Sequence, residues 1–179
     1  MDVDAADVSV DAFPVFSCWP SIPPIERGTV TLGTGDTAFA PLAATLPVVY
    51  GSAGDFLVWV RVRMTDFLPG QPSNVANENP FTRVRATFAD TGVALSPPGD
   101  CASRQWYVPN ALGGFDLASE HAVMFDSCWQ SDRLIGARVQ IDVELMDATG
   151  SYAQGSRVVT LTEPVGGFPS GPTPPTCGM

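Results

Sequence analysis

Four cysteines are the residues whose type and spacing say most about the chemistry of this chain. They are Cys18, Cys101, Cys128 and Cys177, all far apart in the sequence. No two of them form the Cys-x-x-Cys pair used by zinc knuckles and thioredoxin-like redox centres. An even number of scattered cysteines is typical of structural disulfides in an oxidising compartment. We predict Cys101–Cys128 between neighbouring loops and Cys18–Cys177 clipping both chain ends to the body, with the other connectivities left open.

Catalytic chemistry has little to build on. His121 is the single histidine, and there is no lysine. One histidine cannot form the multi-histidine sites of catalytic zinc, and no Gly-x-Ser-x-Gly motif accompanies it. Neither Asp2-x-Asp4 nor the turn at Asp90 has the spacing of a calcium loop. We therefore expect no catalytic residue, metal or cofactor, and a protein that is not an enzyme. A hydrolase with carboxylates assembled only in space is an alternative.

Six residues are the candidates for ligand binding: Trp59, Arg61, Arg63, Arg83, Arg85 and Trp106. If the strands carrying the two arginine pairs are neighbours, four guanidinium groups gather on one face and can bind an anion. The simpler interpretation is that the arginines pair with Asp142 and Glu144 across strands. Trp59 lies opposite the aliphatic face of its strand and is the best candidate for an exposed aromatic, although the simpler interpretation is that it covers the sheet together with the neighbouring arginine stems.

Two further tryptophans, Trp19 and Trp129, each follow a cysteine directly. A tryptophan packed on a disulfide is common in the core of sandwich domains, and we expect that role for both. The alternative is an exposed platform formed with Trp106 and Tyr107, on which sugar rings or a peptide stack.

The elements that must position these residues are strands. Apolar and polar residues alternate with period two in the segments Phe56–Met64, Phe81–Ala89 and Arg138–Leu145. Leu46–Tyr50 is a short apolar strand, and only Val108–His121 has room for a helical turn. Glycine-containing turns recur about every ten residues. The pattern predicts an all-β fold, an antiparallel immunoglobulin-like β-sandwich of roughly seven to nine strands, stapled by two disulfides.

Composition indicates where the domain begins and ends and which kind of partner is excluded. We predict an acidic leader over 1–12, the sandwich domain over 13–165, and a Pro/Gly-rich tail over 166–179 tied back through Cys177. The net charge of −10 argues against a nucleic-acid partner. No apolar run reaches the about 20 residues of a membrane-spanning helix. The N-terminus carries no signal peptide, so either Met1 begins a cytoplasmic protein or it replaces a removed export signal. The cysteines favour the second.

Several loose motifs carry a resemblance: Gly33-Thr34-Gly35, Phe39-Ala40-Pro41-Leu42, the stretch from Tyr50 to Phe56 with Trp59, and Asp147-Ala148-Thr149-Gly150. Over roughly residues 28–162 the chain resembles a group of uncharacterised bacterial lipoproteins with an acidic tether and an immunoglobulin-like sandwich. Ser52-Ala53 and Asp55-Phe56 depart from that group's glycine stretch, which often carries Pro-Gln and then His or Tyr, so no metal site follows.

The resemblance implies an extracytoplasmic home, in the periplasm or on the cell surface, with a lipid anchor upstream. It brings no established activity. We therefore expect a structural or binding module whose partner is an unknown protein or glycan. The alternative is a carbohydrate- or peptide-binding module that uses the exposed aromatic residues and arginines.

Overall fold

The computed structural model describes residues 19–51, 55–72, 78–99 and 101–163. The predicted acidic leader, the Pro/Gly-rich tail and the Cys18–Cys177 bridge lie outside the described residues. Cys101 and Cys128 lie within them, and neither is a free thiol. The pairing of these two cysteines with each other stays a prediction.

The described chain is built from strands and one short helix. The strands are β1 (Ile25–Glu26), β2 (Thr29–Thr34), β3 (Ala40–Pro41), β4 (Thr45–Pro47), β5 (Val49–Tyr50), β6 (Phe56–Thr65), β7 (Phe81–Phe88), β8 (Ser103–Arg104), β9 (Tyr107–Pro109), β10 (Phe115–Leu117), β11 (His121–Met124), β12 (Arg138–Met146) and β13 (Ser151–Thr162). The helix, α1, spans Ser131–Leu134.

The strands form two sheets. In the first sheet the order is β1-β13-β12-β7-β8, and β4 also pairs with β13. In the second sheet the order is β3-β2-β6-β10-β9, and β11 and β5 also pair with β6. All of these pairings are antiparallel except β1 with β13 and β4 with β13. An all-β architecture of two mainly antiparallel sheets is therefore confirmed. The strands outnumber the predicted seven to nine, because several two- and three-residue segments pair separately.

One hydrophobic core lies between the sheets, and period-two alternation builds it. On β6 the buried face carries Phe56, Val58, Val60, Val62 and Met64, as the sequence pattern predicts. The first sheet contributes Val84 and Ala86 of β7 and the inward residues of β12 and β13 to the same core. Burying an aliphatic side chain of this size contributes about 1.5–3 kcal/mol. This layer fixes which side chains of each strand face outward.

The segment Leu46–Tyr50, predicted as one strand, divides between the sheets. Leu46 pairs in parallel with Leu161 of β13, whereas Val49 pairs with Leu57 of β6. Between them Val48 is fully buried and donates its backbone N–H to the carbonyl oxygen of Thr162 at 3.0 Å. The chain thus crosses from one sheet to the other at a single core residue.

The helical turn expected within Val108–His121 is wrong. That stretch forms β9 and β10, joined by a turn in which Asn110 Oδ1 accepts the backbone N–H groups of Leu112 and Gly114. Gly113 has a φ of 80°, a conformation that glycine adopts without strain. Within the described ranges, no helix is long and apolar enough to cross a membrane.

Candidate functional site

The two arginine pairs do not meet. Arg61 and Arg63 lie on β6 in the second sheet, whereas Arg83 and Arg85 lie on β7 in the first sheet. Each pair points away from the shared core, so the two pairs face opposite sides of the molecule. The cluster of four guanidinium groups, considered only on the condition that the two strands were neighbours, therefore does not form. It required β6 and β7 to be neighbours, and the connection between them crosses from one sheet to the other.

The simpler interpretation fits the first sheet. The cross-strand partner of Arg83 is Glu144, and that of Arg85 is Asp142. Arg83 Nε donates to Glu144 Oε2 at 2.7 Å, and its guanidinium lies 5.0 Å from the ring centre of Trp19. These arginines are bound into the outer face of their own sheet.

Arg61 is only 4% exposed, and its guanidinium donates hydrogen bonds to backbone carbonyl oxygens of other segments. Its Nε donates to the carbonyl oxygen of Leu117 at 2.9 Å, Nη1 to that of Gly35 at 2.7 Å and Nη2 to that of Ala118 at 3.1 Å. Glu120 Oε1 accepts the N–H of Gly35 from the same side at 3.0 Å. The guanidinium is therefore committed to joining two loops over β6.

Arg63 is paired with an acid. Its guanidinium lies 4.1 Å from the ring centre of Phe39, and its Nε and Nη2 reach the two carboxylate oxygens of Asp116 at 2.6 and 3.0 Å. The hydrogen bond from Arg63 lowers the pKa of Asp116, and the same bond raises the pKa of Arg63. This is a structural ion pair between β6 and β10.

The aromatic residues considered as an exposed binding surface differ in their exposure. Trp59, the best candidate for an exposed aromatic, is 39% exposed on the outer face of β6. Trp106 is half-buried just before β9, and its carbonyl oxygen accepts the N–H of Ala118. Tyr107 is buried with its hydroxyl 2.8 Å from Thr82 Oγ1, so it cannot belong to an exposed platform. Burial raises the pKa of Tyr107.

A cavity of about 410 Å³ opens beside Trp129. We call it the Trp129 cleft and define it by the residues Phe88, Asp90, Trp129, Asp132, Arg133 and Arg138. The indole of Trp129 meets the ring of Phe88 edge to face, with ring centres 5.0 Å apart and planes at 78°. Trp129 is half-buried, so part of its surface is left to the cavity.

Backbone hydrogen bonds hold Trp129 in place. The N–H of Asp126 donates to the carbonyl oxygen of Leu95 at 2.7 Å and so fixes the segment after β11. Asp126 then accepts twice, from the N–H of Trp129 at its carbonyl and from the N–H of Cys128 at Oδ1. The indole thus follows a short, hydrogen-bonded turn.

Charged side chains surround the mouth of the cleft from three separate segments. Asp90 lies in the turn after β7, and Arg138 opens β12; Arg138 Nη1 binds Asp90 Oδ1 at 2.7 Å. Asp132 and Arg133 are exposed on α1, which fully buries Leu134. The result is an aromatic floor with two carboxylates and two guanidinium groups at its rim. Such a site can stack on a flat apolar ring and hydrogen-bond to groups at its edge.

His121 is half-buried on β11, opposite Val60 of β6. Among the described residues no group of three His, Cys, Asp or Glu side chains is arranged to hold a metal ion. Comparison of the chain with protein-family models, curated proteins and solved structures found no match.

Sequence reasoning named Trp129 but missed its cleft. The pair Cys128-Trp129 suggested packing on a disulfide, whereas the ring contact that the structure gives Trp129 is with Phe88. A signal was present in the charged residues Asp132 and Arg133, which lie three and four positions after the tryptophan. Nothing local indicated that the turn after β7 and the start of β12 would join them.

Proposed function

We propose that the protein is a non-enzymatic, extracytoplasmic binding module with an immunoglobulin-like fold, and that it binds a carbohydrate in the Trp129 cleft. The arrangement of aromatic floor and polar rim around Trp129 is the observation that carries the proposal.

Strand order supports the immunoglobulin-like assignment. In that fold one sheet has the order A-B-E-D and the other contains C, F and G. Here β2-β6-β10-β9 follow the first order, with β11 continuing β10 along β6, and β7-β12-β13 follow the second. The chain also changes sheet after β2. Whereas β2 lies in the second sheet, β4 lies in the first sheet and runs parallel to the last strand, β13.

The state of the cysteines supports the proposed extracytoplasmic, oxidising compartment. Neither Cys101 nor Cys128 is a free thiol, and structural disulfides persist in oxidising surroundings. We propose that these two residues form one bridge and that Cys18 and Cys177 form the other. The lipid anchor implied by the resemblance to bacterial lipoproteins belongs to the same proposal.

The ligand class follows from the chemistry of the cleft. A sugar ring offers an apolar face of C–H groups for stacking on an indole and hydroxyl groups at its edge. The rim supplies both partners that hydroxyls use, since the carboxylates of Asp90 and Asp132 accept and the guanidinium groups of Arg133 and Arg138 donate. The volume falls within the about 300–1,000 Å³ typical of small-molecule sites.

The test is affinity electrophoresis through gels that contain soluble polysaccharides, namely xyloglucan, galactomannan, laminarin, pullulan and polygalacturonate. At least one neutral polysaccharide should retard the wild-type protein, and Trp129→Ala should remove the retardation. Trp129→Phe distinguishes a loss of binding from a loss of folding. It keeps an aromatic ring against Phe88 but offers the sugar a smaller surface for stacking.

Trp59→Ala is the matched control, since Trp59 is exposed on the outer face of the other sheet. It should leave the retardation unchanged. Equal retardation of Trp129→Ala and wild type, or no retardation of wild type by any gel, would refute the proposal. Retardation that is lost with Trp59→Ala alone would move the site to β6.

A further inference from the structure

A second cavity, of about 750 Å³, adjoins the Trp129 cleft. Val93, Cys128 and Trp129 line both cavities, so the two cavities adjoin at these three residues. The second cavity extends over Thr87 of β7 toward the Pro97-Pro98 turn. Each cavity alone has the volume of a small-molecule site. We call the two adjoining cavities, with the Trp129 that lines both, the trough.

Charge along the trough is balanced at both ends. The rim of the first cavity carries Asp90 and Asp132 against Arg133 and Arg138. The second cavity carries one acid, Asp126, and one base, Arg85. A polyanion needs a basic surface, and this protein has a net charge of −10. The trough therefore suits a ligand without charge.

The two ends differ in what they offer a ligand. The first has the ionic rim, which can make directional hydrogen bonds. The second has the ring surfaces of Pro97 and Pro98, and its Ser96 hydroxyl oxygen already accepts the N–H of Ala86 at 2.9 Å. A ligand that fills both ends must be extended and must present apolar faces in succession. A chain of sugar rings has this character, whereas a single sugar occupies one end.

We infer that the ligand is an uncharged oligosaccharide chain whose adjoining sugar units cross Trp129 and occupy both cavities. The inference rests on the proposed carbohydrate-binding function and specifies its substrate class. Binding then depends on chain length, because the second cavity adds contacts without a second loss of translational freedom.

The test is isothermal titration with cello-, manno- and xylo-oligosaccharides of increasing length, from the monosaccharide to the hexasaccharide. Oligogalacturonides of matched length provide the charged comparison. For at least one neutral series the affinity should rise at least about tenfold from the monosaccharide to the tetrasaccharide, which corresponds to about 1.4 kcal/mol. The oligogalacturonides should bind more weakly at every length.

Two exposed positions allow each cavity to be blocked separately. Ala94 lines only the second cavity and Thr91 only the first. Ala94→Trp should reduce the affinity for the tetrasaccharide to that for the shortest binding sugar, and Thr91→Trp should weaken binding at all lengths. Thermal unfolding checks that both variants fold.

The outcomes separate the two proposals. Length-independent binding that still requires Trp129, or a preference for oligogalacturonides, would overturn this inference and leave the carbohydrate function standing. Absence of binding by every oligosaccharide at every length would overturn the carbohydrate function itself.

Discussion

Arg63 and Asp116 form a two-point ion pair across neighbouring strands, with Nε–Oδ1 at 2.6 Å and Nη2–Oδ2 at 3.0 Å. The side chain of Asp116 is 13% exposed, and its Oδ1 also accepts from Asn110 Nδ2 at 2.9 Å. The pair therefore joins β6 to β10 and to the turn before β10.

The first prediction concerns pH. Arg63 holds the pKa of Asp116 below its ordinary value of 3.8, so the folded state binds this proton less readily than the unfolded state. The stabilisation is present above the unfolded pKa and is lost as the pH falls through the folded pKa. Asp116→Asn should destabilise the protein by about 1–3 kcal/mol at pH 7 and by much less near pH 2. Urea unfolding across this range measures it.

Asp90→Asn is the matched control for that measurement. Asp90 also pairs with an arginine, Arg138, but both side chains are more than half exposed. An exposed ion pair contributes about 0–1 kcal/mol, so this variant should unfold close to wild type at pH 7. A gap between Asp116→Asn and wild type that stays constant from pH 7 to pH 2 would contradict the ion-pair account.

The second prediction concerns Arg61, whose three hydrogen bonds to carbonyl oxygens need a planar guanidinium. Arg61→Lys keeps the positive charge but cannot reach Gly35, Leu117 and Ala118 together. It should lower the free energy of unfolding by about 2–4 kcal/mol, because one buried and two part-buried carbonyl oxygens lose their donors. Arg157→Lys, at an exposed position of β13, should change it by less than about 0.5 kcal/mol. Equal effects of the two substitutions would contradict the structural role of Arg61.

The third prediction concerns the buried carboxylate of Asp147. Its Oδ1 accepts the N–H groups of Thr149 and Ser151 at 2.9 and 3.1 Å, and its Oδ2 accepts the N–H of Leu68 at 3.0 Å. It thus ties the β12–β13 turn to the segment after β6. Asp147→Asn replaces one acceptor oxygen by an amide donor and should cost about 1–3 kcal/mol. Hydrogen exchange should quicken at Leu68, Thr149 and Ser151, and unchanged exchange there would count against this role. Asp36→Asn, at an exposed position, is the control.

The fourth prediction concerns the disulfide bonds. Peptide mapping by mass spectrometry without reduction should find Cys101 joined to Cys128. Cys101→Ala combined with Cys128→Ala should then lower the free energy of unfolding by about 2–4 kcal/mol in oxidising buffer. Alkylation of either thiol in the unreduced, denatured protein would contradict the bridge. A peptide that joins Cys128 to another cysteine would replace the predicted connectivity.

Local periodicity was sufficient to predict the three long strands β6, β7 and β12 and their inward faces. Val58, Val60 and Val62 alternate with outward residues because each strand has one face on the core, and burial imposes period two. The pairing of Arg83 with Glu144 could be anticipated for the same reason, since both lie on outward positions. The inward and outward faces depend on the nearest residues along the chain, whereas the pairing of Arg83 with Glu144 also required β7 and β12 to be neighbours.

Relations between distant segments could not be predicted in this way. Whether β6 and β7 are neighbours depends on where the intervening loop crosses, and the alternation of each strand is the same in both cases. The division at Val48 was missed because an apolar residue between two short apolar segments fits one strand or two. The Trp129 cleft required three separate segments to converge on one indole.

The crossing at Val48 has a consequence for solubility. Residues 45–50 cover a margin of each sheet, β13 on one side and β6 on the other. Loss of these contacts would leave hydrogen-bonding groups of β13 and β6 open, and an open strand margin is where another chain can pair and aggregation can begin. The segment thus covers two such places at once.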